Sequence, residues 1–295
     1  MIGADENNVL NSQKWNYISF YKFVPELPEV QTVVDFLKDK LLRKTILSIQ
    51  SPNGHSGVFE NGSLKYYQSF LYKCQIQSIW RRGKFIIMEL DSGFLLFHLR
   101  MTGSFLLEIQ EKSELKYVSL QLIFSDGSNL FFRDTRKFGR AYICQSLDWL
   151  EDRLGIEPLS NEFTPDWLHF HLRQRKRMMK PLLLDQSFIA GLGNIYVDET
   201  LWRAKIHPNT ISRKIGKVRC EKLCFAIKDV LTLAIEYKGT TIINFSYGQN
   251  EKGRFSKGLK VFGRINEPCP RCSMPIYKIF VSQRGTHICK KCQRY

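Results

Sequence analysis

Four cysteines near the end of the chain constrain its folding most. "CPRC" at 269–272 and "CKKC" at 289–292 give the spacing C-x2-C-x16-C-x2-C. Each pair can turn two thiolates to one side of a tight knuckle, and two knuckles complete a tetrahedral four-sulfur site. Zn2+ suits four soft thiolates. With Cys269, Cys272, Cys289 and Cys292 filling every position, no coordination place is left for catalysis. The expected role is structural: one ion folds roughly 30 residues that are too few to bury a core of their own. Between the knuckles, "FVSQRGTH" reads as a hairpin with Arg284 near its tip, either solvated or set against a phosphate. Cys74, Cys144, Cys220 and Cys224 lie in apolar or helical segments and read as buried thiols.

Upstream, apolar spacing at Val30, Val33, Val34, Leu37 and Leu41 predicts a helix from Pro28 to about Arg43, with the proline tolerated in its first turn. "CQIQSIW" (74–80), "KFIIMEL" (84–90) and "FLLFHL" (94–99) read as strands, and "VSLQLIFSDGSNLFFRD" as a hairpin turning at Asp126-Gly127. Short strands with one long helix predict a β-sandwich or barrel-like domain ending near residue 150. The texture then becomes helical. "TPDWLHFHLRQRKRMMKPLLLD" is expected to be helical until Pro181, and "NIYVDETLWRAK" to form a short helix. A longer helix is expected from Lys217 to Lys238, closing at Gly239. Residues 239–265 carry five glycines and read as a mobile loop.

Lys plus Arg number 44 against 28 acids, a net charge of +16, which points to a polyanionic partner, duplex nucleic acid being the commonest. A basic protein without a dedicated partner is the plainer alternative. No basic amphipathic helix favours a membrane surface, no apolar run is long enough to span one, and the first 23 residues lack the features of a secretion signal. A cytoplasmic, nucleoid-associated protein is expected.

"PELPEV" (25–30), "RRGKF" (81–85), "HLRMTGS" (98–104), "DTRKFGR" (134–140), "LGIEPL" (154–159), "KP" (180–181), "GLGNIY" (191–196) and the cysteine module occur in one order. That series resembles bacterial formamidopyrimidine-DNA glycosylase over residues 25 to about 293. The architecture expected is α+β and multidomain. Residues 1–24 would be an extension absent from the mature protein, and 25–150 a catalytic β-sandwich domain with a long helix. Residues 151–265 would be a helix-two-turns-helix DNA-binding domain with a lesion-covering loop, and 266–295 a zinc ribbon.

The resemblance implies a bifunctional glycosylase and AP lyase of base excision repair, excising 8-oxoguanine and formamidopyrimidines from double-stranded DNA as a monomer. The nucleophile it implies is the ring nitrogen of Pro25, with Glu26 in acid–base support and Lys84 and Arg284 as proton donors for β- and δ-elimination. Glu29 is either a supporting carboxylate or a simple helix N-terminal acid. Met101, Arg136 and Phe138 match the residues that fill the gap left by an everted base. His98, Arg175, Lys180 and Asn194 match DNA contacts, with Tyr117 where the family commonly carries a histidine-bearing stretch. Read without the resemblance, Met101 and Phe138 would be core residues and Lys84 a surface lysine.

Pro25 is internal here, and an acylated nitrogen cannot be this nucleophile. Val24 stands where the family has its initiator, so translation from a GUG codon would free Pro25, and trimming is the other route. If residues 1–24 were retained, the alternative is a catalytically silent DNA-binding protein of the same fold.

Overall fold

The computed structural model describes residues 24–241 and 251–295. The expected extension therefore lies outside the described residues save for Val24, as do residues 242–250 of the expected loop. Helix α1 (Leu27–Leu41) starts two residues after Pro25 and buries Val30, Val33, Val34, Leu37 and Leu41 on one face. Strand β1 (Ile46–Gln50) and helix α2 (Leu64–Leu71) follow. Next come β2 (Ile76–Arg82), β3 (Phe85–Leu90), β4 (Gly93–His98), β5 (Gly103–Leu106), β6 (Val118–Phe124), β7 (Asn129–Asp134) and β8 (Arg140–Cys144).

They form two four-stranded antiparallel sheets, ordered β1-β6-β7-β5 and β2-β3-β4-β8. A sandwich is the outcome, because alternate residues such as Ile86, Met88, Leu95, Phe97, Leu120, Leu122 and Phe132 face one shared core. The outer face of the second sheet is covered through Ile87 and Leu96 by Leu150 of the short helix α3 (Asp148–Glu151).

The second core is helical. Helix α4 (Pro165–Arg173) is capped by Thr164, whose hydroxyl accepts the Trp167 N–H at 3.1 Å. It ends eight residues before Pro181, so the expected continuous helix is two. The basic run at 173–177 lies mainly in the connection, and α5 (Met179–Leu183) holds Pro181 in its first turn, where the missing N–H costs nothing. Helices α6 (Asn194–Arg203) and α7 (Lys217–Glu236) complete this half, and the chain turns after α7 at Gly239, whose φ is +77°.

α1 joins the halves. Its length lies on the sandwich core, while Leu27 at its start is buried among Leu192, Ile195 and Tyr196 of the helical core. The last unit is a hairpin of β9 (Tyr277–Val281) and β10 (Arg284–Ile288), turning at Ser282 and Gln283, both at positive φ. It packs on Trp202 of α6 through Val261, Ile276 and the cysteines. Among the described residues no helix is long and apolar enough to cross a membrane.

Candidate active site and nucleic-acid interface

Glu26 is the residue just before α1, yet its carboxylate caps a different helix. Oε1 accepts the Ile195 N–H at 2.9 Å and Oε2 the Tyr196 N–H at 3.3 Å, so it sits on the N-terminus of α6. This needs Gly193: a Cβ there would lie 2.3 Å from the Glu26 Cδ. Glu26 is only 3% exposed. Burial raises its carboxyl above the usual carboxylate range, while Lys84 and the helix N–H groups pull it down.

Glu29 is fully buried one turn on. Oε2 accepts the Glu26 N–H at 2.9 Å, and Oε1 accepts the Tyr196 hydroxyl at 2.5 Å and the Thr240 N–H at 2.6 Å. Burial first, then the Glu26 charge, pushes its carboxyl up to about 7. Glu29 thus ties the start of α1, helix α6 and the chain leaving α7 together. That goes beyond an N-terminal helix acid.

Lys84 occupies the tight β2–β3 turn beside Gly83, whose φ is +56°. The turn is fixed by Glu157, which accepts the Gly83 N–H at 2.5 Å and pairs with Arg81 at 2.8 Å. "RRGKF" and "LGIEPL" are therefore two sides of one contact. Burial lowers the Lys84 ammonium, against the upward pull of Glu26 and Glu29.

His98 ends β4. Its Nδ1 accepts the Arg100 N–H at 3.0 Å, and burial with the nearby cations Arg100 and Lys84 drops the ring to about 3. The neutral ring then carries its proton on Nε2 and is a donor.

The β7–β8 turn is organised by buried Asp134, which accepts the Arg136 N–H at 3.1 Å and the Gly139 N–H at 2.6 Å. It lifts Arg136 and Phe138 outward. Phe138 is 47% exposed, with the Arg136 guanidinium 5.1 Å from its ring centre. A large aromatic left in water on a turn held this tightly is not a core residue.

These groups meet in one cavity of about 630 Å³ between the two halves, onto which Glu26, Lys84, His98, Met101, Phe138, Asn194 and Arg284 all open. Pro25 is buried immediately behind Glu26. Val24, Glu60, Arg100, Arg140 and Leu184 also line it. Arg100 and Arg140 lie inside motifs quoted above but were not singled out, because nothing in the sequence says which way they face.

Four expected DNA contacts do not line it: Arg136, which stands exposed on the turn beside Phe138, and Lys180, Arg175 and Tyr117. Lys180 is 0% exposed, with its Nζ bonded to Asp198 Oδ1 at 2.6 Å and the Gly285 carbonyl at 3.1 Å, so it holds the hairpin that carries Arg284. The second Asp198 oxygen takes the His287 N–H at 2.8 Å, and Asn194 Nδ2 also donates to Gly285, at 3.1 Å. Arg175 turns inward, its guanidinium 4.9 Å from the Phe188 ring centre and donating to the His171 carbonyl at 2.9 Å. Tyr117 lies away from the cavity, flanked by Lys116 and Arg133 at 5.0 and 5.6 Å.

The sulfurs of Cys269, Cys272, Cys289 and Cys292 all lie within 4.8 Å of one another, with Cys269–Cys292 at 3.9 Å and Cys272–Cys289 at 3.4 Å. A tetrahedron of thiolates about 2.3 Å from zinc has edges of about 3.8 Å, so the donor set fits one ion. Trp202 Nε1 donates to Cys269 Sγ at 3.4 Å, an outer contact that orients the ligand.

Three family models match the chain: the formamidopyrimidine-DNA glycosylase N-terminal domain over residues 24–141, the formamidopyrimidine-DNA glycosylase H2TH domain over 154–246, and a zinc finger found in FPG and IleRS over 266–294. Formamidopyrimidine-DNA glycosylase of Protochlamydia amoebophila is 41% identical over 283 residues, covering 92% of this chain and 100% of that protein. Lactococcus lactis Fpg, solved in complexes with DNA containing an abasic site or N7-benzyl-Fapy-dG, superposes with a TM-score of 0.84 at 34% identity, covering 92% of this chain and 100% of that one. MutM in complex with carbocyclic 8-oxo-G DNA gives a TM-score of 0.83 at 35% identity with the same coverage.

Proposed function

Since the chain belongs to the formamidopyrimidine-DNA glycosylase family, we propose that it excises oxidised purines from duplex DNA with the ring nitrogen of Pro25 and then cuts the strand. It is a DNA glycosylase and AP lyase of base excision repair, with one structural zinc ion in its cysteine module. The observation that carries the residue-level reading is the Glu26 carboxyl, next in the chain to Pro25, buried, opening on the cavity and raised by its surroundings.

A chain beginning at Pro25 presents a secondary amine, whose α-amino character leaves more of it unprotonated near neutral pH than a lysine. Its lone pair attacks C1′ as the bond to the base breaks, and the proton that the ring nitrogen gives up leaves with the base. Glu26, whose carboxyl burial raises, gives a proton to the sugar ring oxygen as that ring opens, and an iminium remains on Pro25. The iminium acidifies C2′; loss of that proton expels the 3′ phosphate, and a second elimination expels the 5′ phosphate. Lys84 and Arg284 supply protons to these steps. His98 and Asn194 hold phosphate, and Met101, Arg136 and Phe138 occupy the space of the everted base. Lys180 supports this indirectly through the hairpin that carries Arg284. One chain bears both walls of the cavity and acts as a monomer in the cytoplasm, on the nucleoid.

Borohydride trapping on a duplex with 8-oxoguanine opposite cytosine tests this. A covalent adduct is expected with protein starting at Pro25 and none when residues 1–24 remain. Tight duplex binding without an adduct from either form supports the silent binder instead.

A further inference from the structure

Glu60 stands out on the cavity wall. Lys84, His98, Arg100, Arg140 and Arg284 suit a polyanion, and Glu26 is buried, but the Glu60 side chain is 45% exposed in the same cavity. An exposed carboxylate repels phosphate at the place where phosphate must come closest. It is not there by default of mobility: its N–H donates to the Ala141 carbonyl at 3.1 Å, fixing it beside β8. There its Oε2 pairs with Arg140 Nε at 2.8 Å.

Arg140 is next to His98 across the β4–β8 ladder and directly follows the turn that bears Phe138. Its Nη1 donates to the carbonyls of Gly139 and Lys137 at 2.9 and 3.2 Å. Its side chain is 26% exposed, so part of the fork still faces the cavity.

We propose that Arg140 is a further DNA-contact residue, whose guanidinium Glu60 occupies in the free protein and a strand phosphate takes over in the complex. The carboxylate and the phosphate are alternative anions for one fork. Glu60 keeps the cation oriented and its desolvation partly met, and lowers affinity for DNA by competing for it. This rests on the DNA-binding reading but not on the proline chemistry.

The plain alternative is that the pair only braces the Phe138 turn, and the two readings differ in sign. Binding of the full chain to a duplex carrying a tetrahydrofuran abasic analogue is measured by fluorescence anisotropy across a salt series, for wild type, Arg140→Gln, Glu60→Gln and the double variant. Arg140→Gln is expected to bind about three- to tenfold more weakly, with a log–log salt slope shallower by about 0.9, one phosphate's worth. Glu60→Gln is expected to bind severalfold more tightly than wild type, and the double variant to match Arg140→Gln. Weaker binding by Glu60→Gln, or an unchanged slope in Arg140→Gln, overturns the inference while wild-type binding stands. A wild-type chain that does not hold the duplex removes the DNA reading and the inference with it.

Discussion

Glu29 shows how much chemistry a single side chain can carry without opening on the cavity. Its carboxyl is raised from 4.5 to about 7. Below pH 4.5 it is protonated both folded and unfolded and has no effect on stability. As pH rises from about 4.5 to about 7 the unfolded chain ionises first, so folding loses free energy, on the order of 3 kcal/mol, and the penalty is constant above. Urea unfolding at a series of pH values is expected to show wild-type stability falling through that window, with Glu29→Gln falling less. The slope left in the variant includes the contributions of Glu26 and Glu199, buried carboxyls raised in the same sense. Parallel curves would show that Glu29 is not the titrating group. At this scale the sequence was a partial guide. "PELPEV" marked Glu26 and left Glu29 between two roles, because its partners Tyr196 and Thr240 are far away in the chain. Lys180 was only half legible for the same reason: its type and motif were visible, but its burial against Asp198 was not.

Among elements, α6 does the most positioning. Its free N–H groups receive Glu26, its first residue holds Gly285 beside Arg284, Asp198 secures Lys180 and His287, and Trp202 backs the cysteines. Glu199 adds a fifth tie, accepting the N–H groups of Lys260, Val261 and Phe262 at 2.9, 2.9 and 2.8 Å. Everything at its N-terminus depends on the space at Gly193, whose backbone conformation is one any residue adopts. Gly193→Ala should therefore fold but drive the Glu26 carboxyl off the helix. Single-turnover nicking of an 8-oxoguanine duplex is expected to fall by about a hundredfold or more, with helical circular dichroism kept. Retained nicking would mean the capped position of Glu26 is dispensable. The helix itself was legible from "NIYVDETLWRAK". The break after Arg173 was not, because the 173–177 run has good helix formers and the competing signal, Pro181, is equally at home in a first turn.

Across the whole molecule, three cores converge on one cavity, and the cysteine module reaches it through Arg284. Stripping the metal with a chelator is expected to unfold residues 266–295 while the two larger cores persist. Limited proteolysis should then cut within that span, far-UV circular dichroism should change little, and binding to an abasic duplex should weaken with a shallower salt dependence. Loss of the whole fold would show that the module is not separable. The broad architecture was readable because strand alternation, helical spacing and cysteine spacing are local patterns. How the units face one another was not, since Leu27, Glu157 and Gly193 settle that through contacts no period encodes.

The cavity draws Glu26 from near one end of the chain and Arg284 from near the other. A polypeptide still emerging from the ribosome can fold its sandwich and much of its helical half, yet it has only part of the machinery. If Arg284 acts as proposed, a nascent chain threading through a DNA-crowded cell cannot assemble the complete cutting apparatus until the final cysteine pair has been synthesised and has found its ion. On that reading, competence to break a strand arrives only late in the protein's own birth.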